Sequence, residues 1–270
     1  MKNSKWLKRL GILSLVCMLC GGAMLVAGYM KSGTLEPLFS FHYHKETTME
    51  YFYDDLSTLD IDANAIALRV SKGDENKIIV KNIDMDEIEI QERNGVVNAS
   101  IDQNRRFKDQ EVIITIKQPE LEKFNLQIDA GKVDISNLHV QKLKIENDAA
   151  TIDMNNVEVD QKTELYADAG SFDLQHMIAH NATIDIDAGA IDFSGLLTGK
   201  SKIQADAGSI EVSITGDKKE YGYRLKNQAG SLVVDHEKIK GFSTTLEHQV
   251  DAENVLDITC AAGRIEVNFE

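Results

Sequence analysis

The chain has 270 residues, enough for one large domain or two small ones. A hydrophobic share of 43% supplies a core and excludes general disorder, with only two prolines and 6% aromatic residues. The formal net charge of -15 repels phosphate backbones, which argues against nucleic acid; it suits cationic partners, metal ions or simple solubility without choosing among them.

Residues 1–9 form a basic leader carrying Lys2, Lys5, Lys8 and Arg9. No residue from Leu10 to Met30 is charged. As a helix rising ~1.5 Å per residue, that run is long enough to cross a hydrocarbon core of ~30 Å. Trp6 and Tyr29 stand at its ends, where amphipathic aromatic rings favour the membrane interface. The pattern predicts a single transmembrane helix over 10–30, a leader held in the cytoplasm, and a C-terminal part outside the cell membrane. A cleaved signal peptide is the competing reading, although its apolar core usually has only ~7–15 residues. Cys17 and Cys20 lie inside the apolar run, so their spacing signals neither redox nor zinc chemistry. The residues before Cys20 are poorly suited to lipidation. Only Cys260 lies beyond the run, so no disulfide can form within the exported part, which must be held by packing.

Residues 31–57 have no clean period but hold Phe39, Phe41, Tyr43, Tyr51, Phe52 and Tyr53. They read as a stalk followed by a cap on the domain at 58–270. A worn motif, Asp62-Ala-Asn-Ala-Ile-Ala-Leu68, opens that domain. Strict copies follow: Asp129-Ala-Gly-Lys-Val-Asp-Ile135, Asp148-Ala-Ala-Thr-Ile-Asp-Met154, Asp168-Ala-Gly-Ser-Phe-Asp-Leu174, Asp187-Ala-Gly-Ala-Ile-Asp-Phe193 and Asp206-Ala-Gly-Ser-Ile-Glu-Val212. They are spaced by 19, 20, 19 and 19 residues. Gln228-Ala-Gly-Ser-Leu-Val-Val234 and Ala261-Ala-Gly-Arg-Ile-Glu-Val267 are looser copies, after gaps of 22 and 33.

Within a period, apolar residues stand two apart, as in Leu126 and Ile128, then Val133 and Ile135, then Leu138 and Val140. This is the pattern of half-buried strands, about three per period. A unit of ~19 residues cannot bury its own apolar face. Stacked at ~4.8 Å, successive units would form continuous apolar ladders. The expected fold is therefore all-β: a parallel β-solenoid (β-helix) of ~19–20-residue coils behind one N-terminal transmembrane helix. Gly at each corner admits φ > 0, and scarce Pro suits ladders that need every N–H. A sandwich of meandering hairpins is the alternative, but it would need no corner motif every 19 residues. The insertions near Lys218–Tyr223 and His236–Gln249 would shield one solenoid end or form side loops.

These repeats, behind one membrane segment and closing on Gly263-Arg-Ile-Glu-Val-Asn-Phe269, resemble the bacterial "putative adhesin" family of unknown function. The domain is similar to that of Lia-type cell-envelope stress proteins. The resemblance covers about 58–270. It implies exposure at the surface of a Gram-positive cell and a role in envelope-stress signalling or interaction. It brings no catalytic residues.

Two acidic columns follow from the repeat. Asp129, Asp148, Asp168, Asp187 and Asp206 precede the corner; Asp134, Asp153, Asp173, Asp192 and Glu211 follow it. Stacked carboxylates repel one another, so the columns suit Ca2+ or a cationic peptide, or stand as a solvated face. No cofactor is expected. His176 and His180, four apart on a strand, would be too far separated to share a metal ion and read as solvent-facing. Ser171, Ser209 and Ser231 recur at one corner position, which repetition explains without catalysis. Asp185 and Asp187 follow the strand alternation, which weakens a polysaccharide-active solenoid enzyme as a reading. The expectation is a non-enzymatic binding or scaffold protein whose partners are the membrane, envelope proteins or cationic peptides.

Overall fold

Residues two apart share one face of a strand, so an alternating sequence buries every second side chain. The computed structural model describes residues 47–102, 109–117, 120–239, 241 and 243–270. The helix expected over 10–30 lies outside these residues. Among those described, no helix is long and apolar enough to cross a membrane. The strands are β1 (Thr48–Tyr53), β2 (Thr58–Lys72), β3 (Asn76–Lys81), β4 (Ile88–Arg93), β5 (Val96–Ile101), β6 (Glu111–Ile116), β7 (Leu121–His180), β8 (Ala182–Thr198), β9 (Lys200–Ile214), β10 (Tyr221–Val234), β11 (Glu237–Ile239), β12 (Thr244–His248) and β13 (Asn254–Phe269). They join one 13-stranded sheet in the order β1-β3-β6-β2-β7-β8-β9-β13-β10-β11, with β12 on β10 and β4 paired to β5 beside β2.

The middle of the sheet is parallel and turns corners without breaking its ladder. Ala169-Gly170 pairs with Ala188-Gly189, and that pair with Ala207-Gly208. Each layer has three straight sides, as at 163–167, 169–174 and 177–180. The result is a solenoid-like stack rather than a sandwich of hairpins. Gly208 shows why the first corner needs glycine: its φ is +144°, and a Cβ there would stand 1.8 Å from the Gly189 carbonyl oxygen. The second strict copy carries Ala150 at this place. There the buried Asn147 side chain accepts a hydrogen bond from the Ala150 N–H and donates one to its carbonyl at 3.1 Å. The second corner uses Asn137 and Asn156, both left-handed, with Asn156 donating to Asn137 at 2.8 Å.

The inward side chains form one continuous core, and large and small residues balance within each layer. The layer holding Phe172 also holds Thr163, Ala167 and Ala179; the layer holding Phe193 holds Ala182. A fully buried Ile, Leu or Phe contributes roughly 1.5–3 kcal/mol, so the ladders are the main support of the stack.

The two ends depart from the coil pattern. The first copy is real but offset: Ala65 pairs with Ala130 and Leu68 with Val133, so its corner lies two residues later than the worn motif suggested. The described residues between 76 and 116 make no further coil. β6 extends β2 in parallel, β3 and β1 follow antiparallel, and the β4–β5 hairpin covers the other half of β2. The segment expected at 31–57 is described only from residue 47; there Met49, Tyr51 and Tyr53 pack against the core, while Phe52 faces outward. At the opposite end the last copy does not stack last. β13 lies between β9 and β10, pairing Gly263 with Gly208 on one side and with Gly230 on the other. The insertion at 236–249 shields β10 through β11 and β12, both antiparallel to it.

Candidate functional site

Alternation points every second residue outward, and parallel register sets equivalent residues side by side. The column after the corner therefore forms a line: Asp173 pairs with Asp192, Asp192 with Glu211, and Glu211 with Glu266. Its ends carry compensation. Lys132 Nζ lies 2.9 Å from both Asp134 and Asp153, and these two bonds raise its pKa to about 12. At the far end Arg264 pairs with Glu266. In Glu266 burial pushes the carboxyl upward, but the Asn268 and Arg264 hydrogen bonds outweigh it and the net shift is down. Asp192 behaves oppositely: burial raises its pKa, and the neighbouring Asp173 raises it further.

Among the described residues, Asp173, Asp192 and Glu211 form no ion pair, and neither do Asp129, Asp148, Asp168, Asp187 and Asp206, all of them exposed. The unpaired stretches lie on either side of the Ala-Gly corner and make one acidic face. Neighbours one strand apart, ~4.8 Å, repel by about 1 kcal/mol even in the dielectric of bulk water. Asp185 adds to this face; burial raises its pKa, Lys202 opposes, and Asp187 and Asp206 reinforce. The next outward column is mixed in sign, with Lys144 bonded to Glu146 at 2.8 Å and Lys162 to Glu164 at 2.9 Å.

Each layer contributes one carboxylate per column, so the columns string charge along the stack without converging it. Among the described residues, three His, Asp or Glu side chains bring ligand atoms within 4.8 Å of one another at one place only: Glu120, His139 and Asp160. The sequence reading passed over this trio. Its signal was the period itself, since Glu120 and His139 are 19 apart and His139 and Asp160 are 21 apart. His176 sits at the second corner with φ +53°, and His180 Nδ1 lies 2.9 Å from Thr198 Oγ1. Ser171 and Ser209 both stand opposite Ala190, at one station of successive layers. Cys260 is a buried free thiol whose pKa burial raises.

A family model described as Toastrack DUF4097 matches residues 60–268. The chain belongs to this family. The toastrack match spans both acidic columns and all of the strands but β1, short of the first two residues of β2 and the last of β13. No curated protein matches the chain. Solved structures similar to it include the following three. A "putative adhesin" from Bacteroides fragilis is 14% identical, over 83% of this chain and 97% of that one, with a TM-score of 0.45. A "putative cell adhesion protein" from Clostridium sporogenes is 13% identical over 84% and 100%, at 0.41. A "putative adhesin" from Parabacteroides distasonis is 15% identical over 84% and 98%, at 0.38.

Proposed function

We propose that this toastrack protein is a non-enzymatic binding or scaffold module displayed outside the cell membrane on a single-pass anchor at 10–30. The observation that carries the reading is the acidic face: unpaired carboxylates repeated layer after layer along one side of the stack. An array of like charges at strand spacing suits an extended cationic partner, which can offer one positive group per layer. Ca2+ is the second reading for the same face; it needs 6–8 oxygen ligands around one ion, and strung-out carboxylates supply these less readily. The uncharged run after a basic leader supports the anchor and the outward topology. The resemblance to Lia-type proteins supports a part in the envelope-stress response of a Gram-positive cell.

Thermal unfolding of the full chain in detergent, with decalysine, CaCl2 or neither, tests this function. Decalysine at 100 times its Kd should add ~2.7 kcal/mol, a shift of a few degrees. The triple variant Asp173→Asn, Asp192→Asn, Glu211→Gln should lose that shift. A midpoint that decalysine leaves unmoved, or moves equally in the variant, rejects the cationic-partner reading. External protease on intact cells checks topology: an exported domain is digested, a cytoplasmic one survives.

A further inference from the structure

We propose that Glu120, His139 and Asp160 hold one first-row divalent transition-metal ion of the Zn2+ class. This site lies apart from the acidic face and does not depend on the function proposed for it. The three residues come from successive windings of the chain. Glu120 directly precedes β7, His139 points outward between the buried Leu138 and Val140, and Asp160 follows the buried Val159. The stacking of these windings brings their side chains to one station, with one ligand atom from each within 4.8 Å of the others.

The geometry needs little adjustment. In a tetrahedral site with metal–ligand distances of ~2.0–2.2 Å, ligand atoms stand roughly 3.3–3.5 Å apart. His139 Nε2 and Asp160 Oδ2 are already 3.0 Å apart, and a carboxylate on a rotatable stem closes the remaining gap to Glu120. The donor set also discriminates. An imidazole nitrogen beside two carboxylates suits borderline ions such as Zn2+ and Co2+, whereas Ca2+ takes oxygen alone. Three protein ligands leave a fourth position open. His139 also lines a cleft of about 600 Å3 with Lys72, Asp74, Asn137, Asn156 and Glu158.

The test uses the full chain in detergent, stripped with a chelator and titrated with CoCl2. The expected result is one equivalent of Co2+ giving the visible d–d bands of a tetrahedral site, displaced by ZnCl2 and not by CaCl2. Loss of an outer-shell partner alone costs metal sites ~10–100-fold in affinity, so His139→Gln and Asp160→Asn should each weaken binding by about 100-fold or more. His180→Gln should bind as the parent does. Circular dichroism confirms that each variant keeps its β spectrum, and the His139 ring resonances of the parent should shift with added ZnCl2. Absence of the bands, bands that survive both ligand variants, or displacement by CaCl2 as readily as by ZnCl2 overturns the proposal.

Discussion

From Leu121 to Ile214 the order of strands in space follows their order in the chain; from Tyr221 onward it does not. Both regions carry the same corner motif, and both pair Ala-Gly with Ala-Gly in register. In the first, each period returns the chain directly onto the layer just made. In the second, β10 is laid down, the chain leaves through β11 and β12, and β13 returns to fill the place between β9 and β10. The motif thus specifies what one layer offers to its neighbour. It does not specify which layer the neighbour is.

The largest expected effect comes from removing 254–270. β13 is hydrogen-bonded along both edges, so its loss strips β9 and β10 together. Hydrogen exchange should then show 215–253 unprotected while protection persists from Leu121 to Ile214. Loss of protection throughout would erase the contrast and make the stack one cooperative unit. Next comes Gly208→Ala, where a new Cβ meets a backbone oxygen at 1.8 Å and φ is +144°. Urea unfolding should show a loss of about 3 kcal/mol or more. Gly216→Ala, whose nearest new contact is the Tyr221 ring at 3.4 Å, should stay within about 0.5 kcal/mol.

The smallest effects separate the two regions by sign. Glu266 has a depressed pKa, so its stabilisation is present above the unfolded-state carboxylate pKa and is lost as pH falls through the folded value. Glu266→Gln should therefore destabilise at neutral pH, by about 1 kcal/mol. Asp192 has a raised pKa: the folded state holds its proton more tightly, and stability falls as pH rises through the interval up to the folded value. Asp192→Asn should stabilise at neutral pH, by only a few tenths of a kcal/mol because water screens the site. The gap between parent and variant should close in acid, where both side chains are neutral. Equal signs for Glu266→Gln and Asp192→Asn in urea melts at neutral pH would show that the column behaves alike along its length.

The sequence by itself determined the strand alternation, the glycine corners and the two acidic columns. These depend on local sterics: residues two apart share a face, and a left-handed bend selects Gly or Asn. Val133, Ile135, Gly170 and Asp173 could be assigned from their neighbours alone. Tertiary structure decided the offset of the first copy, the pairing of β3 with β6 and of β4 with β5 at one end, the insertion of β13 out of order, and the meeting of Glu120 with His139 and Asp160. Those outcomes depend on which strand edges remain unpaired when the chain returns from a long excursion. An unpaired edge exposes a whole row of backbone N–H and C=O groups, and that cost falls on the assembled stack rather than on any one repeat.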